Sequence, residues 1–185
     1  MIRRKTSRTG AALLLLLPYL ALATIVPRLD LQQLARSSEL IVHGRVLRHW
    51  SDWDRAHQFI WTHYLLQVTE PLKGRLSAAI TVSEPGGAVA GTRMRVPSLP
   101  EYADGEEVVV FLERTPLGYW RCRGWGQGKY TVVAREGVKC IRTNLRGLAF
   151  ADRPGASASG LSPLERLGGM EFGEFKRLVR KEAER

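Results

Sequence analysis

Ile60-Trp61-Thr62-His63-Tyr64-Leu65-Leu66-Gln67-Val68 carries the strongest strand signal in the chain. Ile60, Thr62, Tyr64, Leu66 and Val68 alternate with Trp61, His63, Leu65 and Gln67, and β-branched and aromatic residues dominate. Side chains two apart share a face of a strand, so this run predicts a strand with one face on a core. Upstream, residues 40–50 read as a second strand, with Val42, Gly44 and Val46 on one face and His43 and Arg45 on the other; residues 51–56 are a polar break. Downstream, Pro71-Leu72-Lys73-Gly74 reads as a turn, residues 79–83 as a short strand, and Pro85-Gly86-Gly87 as its end. Residues 106–113 contain Val108-Val109-Val110-Phe111-Leu112 without a polar interruption, the pattern of a strand buried on both faces. Residues 119–123, 130–134 and 138–142 bring the expected count to seven strands, the last two joined at Glu136-Gly137. Between them, 85–105 is rich in Gly and Pro and reads mostly as a long loop, a common place for function.

Helices are expected only at the two ends. Residues 29–36 carry Leu31 and Leu34 behind Asp30, a side chain suited to capping a helix start. Residues 170–180 set Met170, Phe172, Phe175, Leu178 and Val179 at three- and four-residue spacings, with basic residues in the last turns where the helix dipole favours them. Turn-separated strands without helices between them predict a mainly β chain with flanking helices: a small antiparallel β-barrel or sandwich, followed by a C-terminal amphipathic helix. A doubly wound α/β fold is excluded by the missing helices.

The 185 residues, 44% hydrophobic and 25% charged, fit one domain and exclude a disordered tail. Residues 1–23 read as a signal peptide. Arg3, Arg4, Lys5 and Arg8 form a basic start, residues 11–23 an apolar run, and Ala21-Leu22-Ala23 a small-residue cleavage site. The run is short for a ~30 Å hydrocarbon core and is interrupted by Pro18, so no stable membrane anchor is expected after cleavage. Losing its four basic residues lowers the net charge from +10 to +6, 24 Lys+Arg against 18 Asp+Glu. The expected layout is a signal peptide (1–23), a β-barrel domain (24–150), a Gly/Ser/Ala/Pro-rich linker (151–162) and a C-terminal helix (163–185), in a protein exported to the periplasm or medium.

Five blocks carry a resemblance. They are Glu39-Leu40-Ile41-Val42-His43-Gly44-Arg45-Val46, Val68-Thr69-Glu70-Pro71-Leu72-Lys73-Gly74, Ser83-Glu84-Pro85-Gly86-Gly87, the 105–112 strand beginning Gly105-Glu106-Glu107, and Gly126-Gln127-Gly128-Lys129-Tyr130. Together they resemble a family of small exported bacterial proteins, some encoded near secreted metalloproteases. The first two blocks and the Gly-Glu-Glu strand are also similar to the barrel of netrin-like and tissue-metalloprotease-inhibitor domains, which implies an OB/netrin-like β-barrel. Those inhibitors chelate the target's metal through a mature N-terminal Cys, whereas cleavage here would leave Thr24 first. Inhibition by that route is not carried over, and no catalytic residue is transferred.

Chemistry-bearing motifs are sparse. His43, His49, His57 and His63 have no standard zinc spacing; His57 and His63, six apart, would lie about 20 Å apart on a strand, so no metal site and no cofactor are expected. Trp53, Phe59, Trp61 and His63 form the candidate binding site. If Ile60 and Tyr64 face the core, then Phe59, Trp61 and His63 face outward as a platform for a sugar or peptide. The competing expectation is that a terminal helix, with Phe172 and Phe175, covers that face. For Cys122 and Cys140 the exported compartment favours a disulfide. Strands flanking a shared neighbour would hold them about 9.6 Å apart, beyond bridging reach. Gly124-Trp125-Gly126-Gln127-Gly128-Lys129 precedes a strand, which suits a turn rather than a phosphate loop. Ser37, Ser51, Ser83 and Ser98 have no base beside them in sequence, so no catalytic residue is assigned.

The resulting expectation is a non-catalytic exported module that recognises a protein or glycan partner, a secreted protease among the candidates. The alternative is a secreted hydrolytic enzyme whose groups converge only in space. Nucleic-acid binding is disfavoured by export and by the modest mature charge.

Overall fold

The computed structural model describes residues 25–75, 78–145, 148–151 and 163–184. The expected signal peptide, and the expected linker beyond Ala151, lie outside the described residues. In chain order the elements are β1 (Ile25–Pro27), α1 (Leu31–Ser37), β2 (Leu40–Trp53), β3 (Ile60–Lys73), β4 (Ala79–Pro85), β5 (Gly87–Val89), β6 (Thr92–Met94), β7 (Glu107–Arg114), β8 (Trp120–Cys122), β9 (Lys129–Arg135), β10 (Val138–Thr143), β11 (Ala149–Ala151) and α2 (Phe172–Ala183).

The chain is mainly β, and its main sheet is partly closed. Seven strands lie in the order β10-β9-β7-β2-β3-β4-β8, and β8 returns to pair with β7. Strand β7 makes this possible by changing partners. One edge pairs with β2; on the other, Val108–Val110 pairs with β9 and Leu112–Arg114 with β8. The contact between β4 and β8 is one parallel pair, Val82 with Trp120. Long strands can follow such a circuit because they bend at bulges. The β2–β3 register slips three times, leaving Leu47, Thr69 and Leu72 without a direct partner. Gly44 sits at one slip, where any Cβ would collide with the Gln67 carbonyl of β3. The expected turn at 71–74 is therefore only partly a turn: β3 runs on through Pro71–Lys73, because the bulges accommodate a proline that a regular central ladder would reject.

Two cores explain the unbroken apolar run of β7. Val108, Val110 and Leu112 point inside the curved sheet with Val42, Val46, Tyr64, Leu66, Ile80 and Val82. Val109 and Phe111 point to the other side, where Ile41, Tyr130 and Ile141 meet Leu34 of α1 and Phe172, Phe175 and Val179 of α2. Helix α1 begins at Asp30 with a capping box: Asp30 Oδ1 accepts from Gln33 N at 2.7 Å and Gln33 Oε1 accepts from Asp30 N at 3.1 Å. In α2, Glu171 caps the start by accepting from Gly173 N and Glu174 N. Lys176 and Arg180 of this helix pair with Glu70 of β3.

The 85–105 stretch is mostly loop, as expected, and also carries the β5–β6 hairpin, whose three-residue strands are too short to register as a period. One expectation needs correction. Cys122 and Cys140 are both free thiols. The order β8–β7–β9–β10 puts three inter-strand steps between them rather than two, about 14 Å, because β7 arrives from earlier in the chain.

Candidate functional site

The aromatic residues gather where β2, β3 and β4 run side by side. Register places Trp50, His63 and Ser83 in one row across the three strands, and Asp52, Trp61 and Pro85 in the next row but one. Residues in direct register share a face, so both rows lie on the outer side of the sheet. Trp50 stacks on His63 with centroids 5.3 Å apart, and the Arg48 guanidinium lies 4.8 Å above the Trp50 ring. Tyr119, in the turn before β8, folds onto the same face, 5.0 Å from Trp61 and 5.8 Å from His63.

This arrangement splits the four expected platform residues. Trp61 lies half-buried on the outer face. His63 shares that face but is 8% exposed, contrary to its expected open position, because Tyr119 and Trp50 cover it. Phe59 lies at the hairpin tip and is 52% exposed. Trp53 pairs with Ile60 and so belongs to the opposite face, where it stacks on His57 at 6.0 Å. Neither helix covers the outer aromatic row. The Phe172 and Phe175 stripe lies instead against His43 and Tyr130.

Ser83, which has no base beside it in sequence, has one in space, contrary to expectation. His63 Nδ1 is 2.7 Å from Ser83 Oγ, and His63 Nε2 is 2.9 Å from Asp52 Oδ1. In the tautomer that donates from Nε2 to Asp52, Nδ1 accepts from the serine hydroxyl. Strand alternation could have suggested such a row only once the β3–β4 register was known. A serine nucleophile also needs an open approach and donors aimed at the developing oxyanion. Ser83 is 2% exposed and lies in the β3–β4 ladder, so the Asp52–His63–Ser83 chain ties three strands together and holds the His63 ring under Trp50.

The inner face of the same strands borders a cavity of about 620 Å³ roofed by the β5–β6 hairpin, with Glu84 and Tyr102 among its walls. A second, about 820 Å³, lies across the 95–103 segment, beside Glu106, Lys129 and Thr131. Burial would push the Glu106 carboxyl up, but hydrogen bonds from Lys129 and Thr131 outweigh it and hold the group below the usual range. Under α2, burial pulls His43 below its ordinary value against the opposing Glu107 carboxylate, 2.9 Å away. Among the described residues no group of three His, Cys, Asp or Glu could hold a metal ion, and no helix is long and apolar enough to cross a membrane. Comparison with protein-family models, curated proteins and solved structures finds no match.

Proposed function

We propose that this chain is an exported OB/netrin-like β-barrel that recognises a protein or glycan partner without transforming it. The observation that carries the proposal is the aromatic face on β2 and β3. Trp50, Trp61 and Tyr119 are half-buried rings, held in place by the Asp52–His63–Ser83 chain and covered by neither helix. Flat rings fixed by packing lose little freedom on binding and exclude water from a stacked sugar or peptide face. The circuit β7-β2-β3-β4-β8 supports the barrel reading, since small barrels of this type bind through one strand face and adjoining loops. Screening the purified chain against immobilised glycans and peptides tests it. Trp61→Ala is expected to remove binding at unchanged fold, and binding indifferent to Trp61 would count against the aromatic face. Trp53→Ala, on the opposite face, is expected to have the smaller effect.

The Asp52–His63–Ser83 contacts are the one observation that favours the second reading, a secreted hydrolase using Ser83. A fluorophosphonate probe separates the two. Under the binding proposal Ser83 stays unlabelled, because its hydroxyl is covered; labelling lost in Ser83→Ala would establish the hydrolase.

A further inference from the structure

We propose that the cavity beneath the β5–β6 hairpin binds a small, oxygen-rich carboxylate, a sugar acid or similar hydroxy acid, with Glu84 donating a hydrogen bond from its floor and Arg93 and Arg95 at its mouth. The site lies on the side of the sheet opposite the aromatic face and stands whether or not that face binds anything.

The roof is built, not draped. Thr62 Oγ1 donates to the Gly86 carbonyl at 2.7 Å, and Gly86 N donates to the Ile60 carbonyl at 2.7 Å. Gly87, at φ +135°, lies so close to β2 that a Cβ would sit 2.6 Å from Ser51 Oγ. The hairpin is thereby pinned to β2 and β3 by backbone that only glycine allows. The half-open cavity of about 620 Å³ falls within the range of small-molecule sites.

Glu84 is 2% exposed, and its Oε1 accepts from Cys122 N at 2.8 Å, while Oε2 has no hydrogen-bond partner among the described residues. A buried carboxyl oxygen without a partner is costly, and a ligand toward which the Glu84 carboxyl turns would satisfy it. Burial pushes this carboxyl up to about 8, so it is uncharged at neutral pH. Since Oε1 is engaged as an acceptor, the proton belongs on Oε2, which therefore offers an O–H. The smaller influences on it are the Cys122 N–H and Arg121, which lower the pKa, and Glu113, which raises it. Burial pushes Tyr64 up to about 12, and Tyr102 and Cys122 well above their ordinary values, so these neighbours stay neutral when Glu84 titrates.

The mouth supplies positive charge. Arg93 and Arg95 are exposed on and just after β6, facing the cavity with His49, which pairs with Asp104 at 2.7 Å, and the acidic Glu101. A guanidinium fork matches a carboxylate in two parallel hydrogen bonds. An uncharged donor below and two arginines above suit an anion bearing oxygens. An amine would need Glu84 ionised and would meet both arginines on entry.

Calorimetric titration of the intact chain with D-galacturonate, and with methylguanidine as the opposite charge, tests the site. The expected result is galacturonate binding with Kd on the order of 1 mM or tighter at about pH 6.5. Affinity should then weaken towards about tenfold per pH unit once pH passes the Glu84 transition. Glu84→Gln keeps an uncharged donor at that place, so its binding should lose the Glu84 pH transition. The double variant Arg93→Ala/Arg95→Ala, on the exposed hairpin, should weaken binding at least tenfold at every pH. Absence of galacturonate binding would overturn the proposal. So would methylguanidine binding that strengthens with pH and is lost in Glu84→Gln, or affinity indifferent to the arginines.

Discussion

Replacing Glu84 by glutamine changes a buried side chain's chemistry while keeping its shape, and the structure sets the size of the effect. In the folded chain burial pushes the Glu84 carboxyl up to about 8; unfolded, it returns to its ordinary 4.5. Between those values the folded state keeps a proton that the unfolded state has released, so stability falls as pH rises. At about 1.36 kcal/mol per unit, the loss is roughly 3 kcal/mol by pH 7 and levels off at about 5 kcal/mol once pH exceeds the folded value. Glutamine has no such loss, and its amide oxygen can still accept from Cys122 N. Urea unfolding of both proteins from about pH 5 to about pH 9 therefore has a defined outcome. The two should lie within about 1 kcal/mol of each other at the acid end, and Glu84→Gln should lead by about 3 kcal/mol at neutrality. Stabilities that run parallel across the range would refute the placement of an uncharged carboxyl at this site.

Other substitutions probe the second core and the chain's ends. Phe175→Ala, at 0% exposure and with its ring 4.7 Å from Tyr130, should cost about 3–5 kcal/mol in urea unfolding. Asp30→Ala removes the side-chain arm of the α1 capping box, leaving the backbone N–H that donates to Gln33, and should cost about 1 kcal/mol by the same measurement. Thiol titration should count both cysteines in denaturant but only the half-buried Cys140 in the native protein, Cys122 being buried; a single disulfide in non-reducing mass analysis would contradict the strand order.

Much of the fold was legible because its signals are local. Alternation in 60–68 marked β3, the apolar run of β7 announced a strand facing two cores, and Asp30 marked the start of α1. What escaped depended on which strands become neighbours. The three-residue strands β5 and β6 have no period to detect, and β7 inserting between β8 and β9 changed the distance between the cysteines. Alternation placed Trp61 and His63 on one face but could not show Tyr119, some sixty residues later, arriving to cover the histidine. Asp52, His63 and Ser83 come from three strands and meet only through register. Glu84 is likewise one residue past a short strand pattern in sequence, and its isolation inside the curved sheet is a property of packing.

Whether the outer face of β2 and β3 binds a partner and leaves it chemically unchanged is read out by an NMR titration of the nitrogen-labelled chain with a glycan or peptide selected by the binding screen. The indole N–H signals of Trp50 and Trp61 should shift first and saturate together, while the ligand's own spectrum stays constant. Ligand signals converting to a product, or saturation with both indoles unmoved, would contradict non-transforming binding at this face.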